Sequence, residues 1–415
     1  MHIAIVGAGI VGVTTAYELA CDGHEVSVFE QRSAAAEESS FANAGLVSPA
    51  LLIPLAAPGI GGAQSTRLFG RHAAIRLASG VTAAELGWAW RWRKAGRSPA
   101  LGLTLAALEQ LGRYSQARMR LVSEQLQMDA ETSRGALVLL RTVDDLARVQ
   151  PALKVLRDAG MPIHDVDADT ARQIEPGLSP DVPLIGALHA PDGESGNCRL
   201  FAQMLRYAAQ ERGAQFHFNA KVSGLDAAPS GLRIAGETVP RRFDAVVVCA
   251  GVAAGALLRP LGVDLPLAAV HGYSISAPLR EDSHAPQGSI VDPLHRVTIT
   301  RQGQRVRIAG GAELGRGDGK HHALTLQTLY QAISGWFPGG VQLSSAQVQV
   351  WRGARPALPD GAPAVGPTGF PGIWINAGHG GSGFALACGS ARAIADLLGQ
   401  KAPEVDLQPF GLRRF

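Results

Sequence analysis

Apolar runs that end in glycine mark both ends of the chain, and helix-spaced apolar positions lie between them. Near the start, "HIAIV" (2–6) runs into "GAGIVG" (7–12) and then "VTTAYELACDGHEVSVFE" (13–30). This predicts strand, tight turn, helix, turn and strand, with Asp22 and Gly23 in the second turn and Glu30 ending the second strand. From Leu101, apolar or small residues recur at 101, 105, 108, 112, 115, 119, 122 and 126. That alternating spacing predicts a long amphipathic helix with one buried face. "CRLFAQMLRYAAQERGAQFHFN" (198–219) predicts a helix leading into a strand. Residues 266–312 alternate as strands do, in "YSISAP", "RVTIT" and "RVRIAGG". "RRFDAVVVCAG" (241–251) and "WINAGHGG" (374–381) return to apolar strands that end in glycine. "SSFANAGLVSPALLIPLAAPGIGG" (39–62), poor in charge and rich in Pro and Gly, is expected to be an ordered loop. Helices and strands alternating at both ends, with β-rich sequence between, predict a parallel α/β cofactor domain that the chain leaves and rejoins.

Composition narrows the function. At 415 residues there is room for two or three domains, and 46% hydrophobic against 18% charged residues allows a large core. A net charge of +3 gives no case for nucleic acid. Cys21, Cys198, Cys249 and Cys388 are far apart, which argues against a disulfide framework or a zinc site and suits a reducing compartment. No signal peptide is expected, because the first strand begins at once. The best spanning candidate, "AVVVCAGVAAGALL" (245–258), is too short and glycine-rich to cross a bilayer. The expected location is therefore the cytoplasm or the inner face of the cytoplasmic membrane.

Gly7, Gly9 and Gly12 follow a strand and open a helix. Such a turn bends tightly at the first glycine, brings bare backbone to a pyrophosphate at the second and packs helix on strand at the third. Glu30, 23 residues after Gly7, can accept both ribose hydroxyls and would repel a 2′-phosphate. An ADP-containing cofactor follows, but the motif alone does not separate NAD from FAD. "NAGHGGSG" (376–383) repeats the strand–glycine–helix pattern. A flavin has a far end to hold, and a positive helix terminus aimed at its pyrimidine edge favours reduction. The alternative is an ordinary strand–helix connection.

"IAIVGAGIVG", "SSFANAGLVSPA", "GESGNCRLF", "HGYSIS", "VTITRQGQRVRIAGGAEL", "WRGARPALPDGAPAVG" and "GHGGSGFALACG" keep one order from residue 3 to residue 390. In these the chain resembles the D-amino-acid oxidase-type flavoproteins, and among them the bacterial D-amino-acid dehydrogenases. The resemblance implies an α/β fold: a Rossmann-like FAD-binding domain and a second, α+β substrate domain built on a mainly antiparallel sheet. Laid on this chain, the FAD domain takes 1–80, 190–265 and 345–415, and the substrate domain 81–189 and 266–344. The implied FAD contacts are Gly7, Gly9, Ile10, Val11, Gly12, Glu30, Gln31 and Arg32, then Ser40, Asn43, Ala44 and Gly45 along the flavin. Val222 meets the adenine, Gly251 follows the returning strand, and Gly378, His379, Gly380, Gly381, Ser382 and Gly383 hold the pyrimidine edge. Some relatives tether the flavin to a cysteine after the arginine motif; "RPALPDGAPAVGP" has none, so FAD is expected without a covalent bond.

The resemblance puts Arg355 in the place of the arginine that clamps the substrate carboxylate, a task suited to a planar, always-charged, bidentate donor. Arg352 and a structural ion pair with Asp360 are the alternatives. Tyr273 is a candidate for lining the amino-acid site, or else packs in its strand. The implied reaction passes the Cα hydrogen of a neutral D-amino acid as hydride to flavin N5, giving an imino acid that hydrolyses to a 2-oxo acid and ammonia. The acceptor is a quinone or oxygen. Alternatives are an oxygen-using oxidase of glycine, sarcosine or cyclic imino acids, and a flavin-binding protein without turnover. His271 stands where the dehydrogenases usually place a lysine. His321 and His322 in "GDGKHHAL" lack metal-ligand spacing and are expected in solvent, so no metal is expected. "ELGWAWRWRKAGR" (85–97) carries three tryptophans and four cations. Either the tryptophans belong to the core, or the segment meets a membrane surface.

Overall fold

The apolar strand His2–Val6 is buried on both faces and lies inside a parallel sheet, where its neighbours are segments far away in sequence. The computed structural model describes residues 1–55, 75–158, 160–316 and 321–415. Among these, one sheet has six strands in the order Ala364–Pro367, Ile373–Ala377, Ala245–Val248, His2–Val6, Glu25–Phe29 and Gln215–His217. Only Ala364–Pro367 runs antiparallel to its neighbour. Helices Ile10–Cys21, Cys198–Glu211 and Gly383–Leu398 pack together beside it, and Leu101–Gln125 packs on Gly383–Leu398. The long helix buries Leu105, Leu108, Gly112, Ser115, Met119 and Val122, the face its spacing predicts. Buried Glu18 accepts Arg118 at 2.7 Å and Arg392 at 3.0 Å, tying three helices together.

The second sheet is mainly antiparallel. Its order is Gln349–Ala357, Ala268–Pro278, Arg305–Leu314, Val297–Gln302, Ser289–Asp292, Ser133–Leu140, Gly186–Ser195 and Leu46–Val47. Arg76–Leu77 joins Arg305–Leu314, and His164–Asp167 joins Gly186–Ser195. Helix Ala323–Trp336 covers it with a separate apolar core. This is the α/β plus antiparallel architecture expected from the sequence.

Sheet membership crosses the expected bounds. Leu46–Val47 and Gln349–Ala357, both inside stretches placed in the FAD domain, pair into the antiparallel sheet. Helix Leu101–Gln125, inside 81–189, packs on the parallel-sheet helices. The stretch expected as loop carries that short strand and a 3-10 turn, Pro49–Leu51; residues 56–62 of it lie outside the described residues. Residues 317–320 of "GDGKHHAL" also lie outside. His321 is exposed, but His322 is half-buried and bonds Thr325 at 2.9 Å at the start of Ala323–Trp336.

Candidate active site

Both glycine turns open on one cavity of about 450 Å³, lined from both sheets. At the first turn Gly7 has φ 103°, and a Cβ there would meet the Cys249 carbonyl oxygen at 2.6 Å. A Cβ on Gly12 would lie 1.9 Å from the Gly7 carbonyl oxygen. Gly9 meets only the Ser40 hydroxyl, at 3.4 Å, and presents bare backbone. Helix Ile10–Cys21 starts there without a side-chain cap from its own N-cap residue, and the Ile10 N–H donates to Ser40 Oγ at 3.0 Å. Helix Gly383–Leu398 also starts without a side-chain cap. Two helix N-termini, with their positive dipole ends, thus face one cavity.

Glu30 supplies the complementary acceptor. It is buried, takes the Ala8 N–H at 2.7 Å and the Arg32 N–H at 2.8 Å, and makes no ion pair among the described residues. Each carboxylate oxygen keeps a further lone pair. Acceptor, bare backbone and two helix ends together fit a dinucleotide: hydroxyls at Glu30, a diphosphate at Gly9, and an electron-rich ring edge at Gly380–Gly383.

Of the expected cofactor contacts, Gly7, Gly9, Ile10, Val11, Glu30, Gln31, Ser40, Asn43, Ala44, Val222, Gly251 and Gly378 through Gly383 line this cavity. Gly12, Arg32 and Gly45 do not. Gly12 packs under Gly7. Arg32 gives its backbone N–H to Glu30 while its guanidinium pairs with Glu38 at the surface. Gly45, at φ 87°, packs against the Gly196 carbonyl and turns the chain into Leu46–Val47. The loop before it is pinned from both sides: Asn43 donates to the Gly381 carbonyl at 3.3 Å, and Thr300 to the Ala44 carbonyl at 2.6 Å. His379 is buried and its ring Nε2 bonds Ser390 at 3.1 Å; burial pushes its pKa down to about 3, so the ring is neutral.

The two candidate arginines differ in their partners. Arg352 donates to Glu313 at 2.9 Å, and Glu313 also takes Arg76 at 2.8 Å. Asp360, the alternative partner for Arg355, is taken by Arg414 at 2.7 Å. Arg355 lines the cavity, donates once, to the Gly311 carbonyl at 2.8 Å, and pairs with no carboxylate among the described residues. Burial lowers its pKa with no opposing charge to restore it. A half-buried cation with open donors invites an anion.

Tyr273 is buried and its hydroxyl donates to Glu313 at 3.1 Å, so the side chain both touches the cavity and anchors the Arg352 cluster. His271 does not line the cavity; its Nδ1 is buried without a partner among the described residues, and burial and Arg352 lower its pKa. Trp88 and Trp92 are core residues, with Trp88 Nε1 donating to the Ala357 carbonyl at 2.9 Å, while Trp90 is 65% exposed. Sequence reasoning missed the cavity floor, a register row of Trp351, Ser274, Ala309 and Thr298 across four strands. Strand alternation marked each strand, but register joins them only through pairing.

The family model for FAD dependent oxidoreductases (DAO) matches residues 2–397. The D-amino acid dehydrogenase of Cereibacter sphaeroides is 37% identical over 421 residues, covering 100% of this chain and 95% of the relative. That of Rhizorhabdus wittichii is 35% identical, covering 100% of each. Among solved structures, glycine oxidase from Geobacillus kaustophilus has a TM-score of 0.74 at 23% identity, covering 100% of this chain and 98% of that one. L-proline dehydrogenase from P. horikoshii has a TM-score of 0.75 at 17% identity, covering 100% and 97%. At these identities the solved structures speak for the fold alone.

Proposed function

Because this chain belongs to the DAO family of FAD-dependent oxidoreductases, we propose that it is an amino-acid dehydrogenase that deaminates D-amino acids. The observation that carries the reading is Arg355, a half-buried guanidinium with no carboxylate partner among the described residues, on the cavity that both glycine turns share. It holds the substrate carboxylate and so fixes the orientation of Cα. Bound FAD supplies a two-electron acceptor for the hydride leaving Cα. The substrate amine enters neutral, leaves as an iminium and takes up water to give a 2-oxo acid and ammonium. The helix end at Gly383 adds a positive field, and neutral His379 adds no charge beside it.

FAD is held without a covalent bond: Cys249 is the cysteine lining the cavity among the described residues, and burial pushes its thiol up to about 12, away from reactivity. The electron acceptor is a quinone met at the inner face of the cytoplasmic membrane. Leu86 and Trp90, one helical turn apart on Ala83–Ala95, are 50% and 65% exposed, with Arg91, Arg93 and Lys94 exposed around them. An apolar face ringed by cations suits an anionic lipid surface. Among the described residues, no helix is long and apolar enough to cross a membrane.

The test is anaerobic mixing of the flavoprotein with D-alanine, D-proline and glycine while following flavin absorbance. Bleaching by the D-amino acids, with reoxidation faster by a soluble quinone than by oxygen, is expected. Bleaching by glycine alone with fast oxygen reoxidation would instead make it an oxidase. No bleaching by any amino acid would leave a flavin-binding protein without turnover.

A further inference from the structure

We propose that Gly272 is a positioning residue for the Arg355 guanidinium, its missing side chain being the seat in which the clamp lies. The inference rests on Arg355 as the carboxylate clamp. In the ladder between Ala268–Pro278 and Gln349–Ala357, Arg355 stands opposite Val270 and Gly353 opposite Gly272. The Arg355 side chain crosses the neighbouring strand at Gly272. A Cβ on Gly272 would lie 2.3 Å from Arg355 Cζ, 2.3 Å from Nη2 and 2.8 Å from Nη1, so any side chain there takes the guanidinium's place.

The far rim of the seat is built by a bulge. Register between Ala268–Pro278 and Arg305–Leu314 shifts between His271 and Tyr273, where His271 pairs with Glu313 and Tyr273 with Gly310. The unpaired residues opposite Gly272 include Gly311, at φ 73°, and its carbonyl receives Arg355 Nη1 at 2.8 Å. A bulge of this kind frees a carbonyl that a regular ladder would consume. One glycine thus makes room for the guanidinium and another orients it, leaving the remaining N–H groups for a carboxylate. A glycine inside a strand otherwise weakens the strand, so close approach of another group is the physical reason to keep one. The obstructing atoms are the far end of a flexible side chain, not backbone. A methyl group at 272 therefore displaces the guanidinium and leaves the strands in place.

The experiment compares parent, Gly272→Ala, Arg355→Ala and the double variant as FAD-loaded proteins. Binding of pyruvate, a carboxylate with no hydride to give, is read by flavin absorbance, and reduction by D-alanine is read in stopped flow with and without non-denaturing guanidinium ion. Gly272→Ala is expected to keep bound FAD and melting temperature while weakening pyruvate by roughly thirty-fold or more, the lower end for losing one partner of a buried charged pair. Guanidinium ion is expected to rescue Arg355→Ala but not the double variant, because the methyl fills its seat. Parent-like pyruvate binding in Gly272→Ala, rescue of the double variant, or no rescue of Arg355→Ala would each overturn the inference. Should Gly272→Ala fail to fold, the double variant decides, since truncating Arg355 vacates the space the methyl needs. Parent-like pyruvate binding in Arg355→Ala would instead remove the clamp reading itself.

Discussion

Arg352 and Arg355 lie three residues apart on one strand, yet among the described residues one is paired with a carboxylate and the other is not. Side chains along a strand alternate between faces, so an odd separation puts the two guanidinium groups on opposite sides of the sheet. Arg352 falls among Glu313, Arg76, Tyr273 and His271, where Glu313 meets its charge. Arg355 falls on the cavity face with Gly353 and Trp351, with one carbonyl as its partner. The acids divide the same way. Glu313 is held by two arginines, whereas Glu30 is held by two backbone N–H groups and faces the cavity. A charge points to a binding site where no opposite charge already meets it.

The largest test of this contrast is Arg355→Lys, which keeps the charge and removes the planar fork. Losing one partner of a buried charged pair costs about 2–5 kcal/mol, so kcat/KM for D-alanine should fall roughly thirty-fold to several-thousand-fold, less whatever the ammonium recovers. Bound FAD should stay at parent level. Next in size is Glu30→Ala, which removes a charged acceptor worth about 1.5–3 kcal/mol per hydrogen bond. Dialysis should strip FAD from this variant at concentrations where the parent retains it; equal retention would mean Glu30 serves only the turn.

His379, buried in the second glycine turn, offers a third, smaller test. Burial holds its folded pKa at about 3 against an ordinary 6.5. Between those values the unfolded chain binds a proton that the folded chain does not, so stability falls as pH drops below about 6.5. At pH 5 the loss is roughly 2 kcal/mol from this group. Denaturant melts at pH 5 and 7.5 should differ less in His379→Gln than in the parent. An unchanged difference would place the acid sensitivity elsewhere.

Much of the fold was legible because period and punctuation are local. The buried face of Leu101–Gln125 and the first glycine turn could be read from spacing alone. The same logic made both tryptophan readings available for 85–97, and only tertiary packing separates buried Trp88 and Trp92 from exposed Trp90. What spacing does not carry is partnership. Nothing near Asp360 in the chain foretells Arg414, and nothing near Gly45 announces that it backs onto Gly196. Resemblance singles out Arg355; that it has no acidic partner among the described residues emerges only when strands 40 to 80 residues apart are laid side by side.

Arg352→Lys should have the smallest effect, and its smallness is informative. Glu313 would keep the Arg76 fork, at 2.8 and 3.1 Å, and the Tyr273 hydroxyl, while a lysine at 352 preserves one positive charge. The lost hydrogen bond to Glu313 costs about 1.5 kcal/mol of stability, the low end for a bond to a charged acceptor because the lysine keeps the charge. Burial pushes the Glu313 carboxyl up, but the bonds and charges of Arg352 and Arg76 outweigh it and hold the carboxyl below 4.5. A lowered carboxyl pKa gives stability that is present above the ordinary glutamate value and lost as pH falls through the folded one. The deficit of Arg352→Lys should therefore be full at pH 7 and fade below about pH 4.5. Its kcat/KM for D-alanine should stay within about threefold of the parent, an energy of roughly 0.7 kcal/mol. If Arg352→Lys instead lost turnover and Arg355→Lys kept it, the substrate carboxylate would have to displace Glu313 from Arg352, and the open guanidinium would be the structural one.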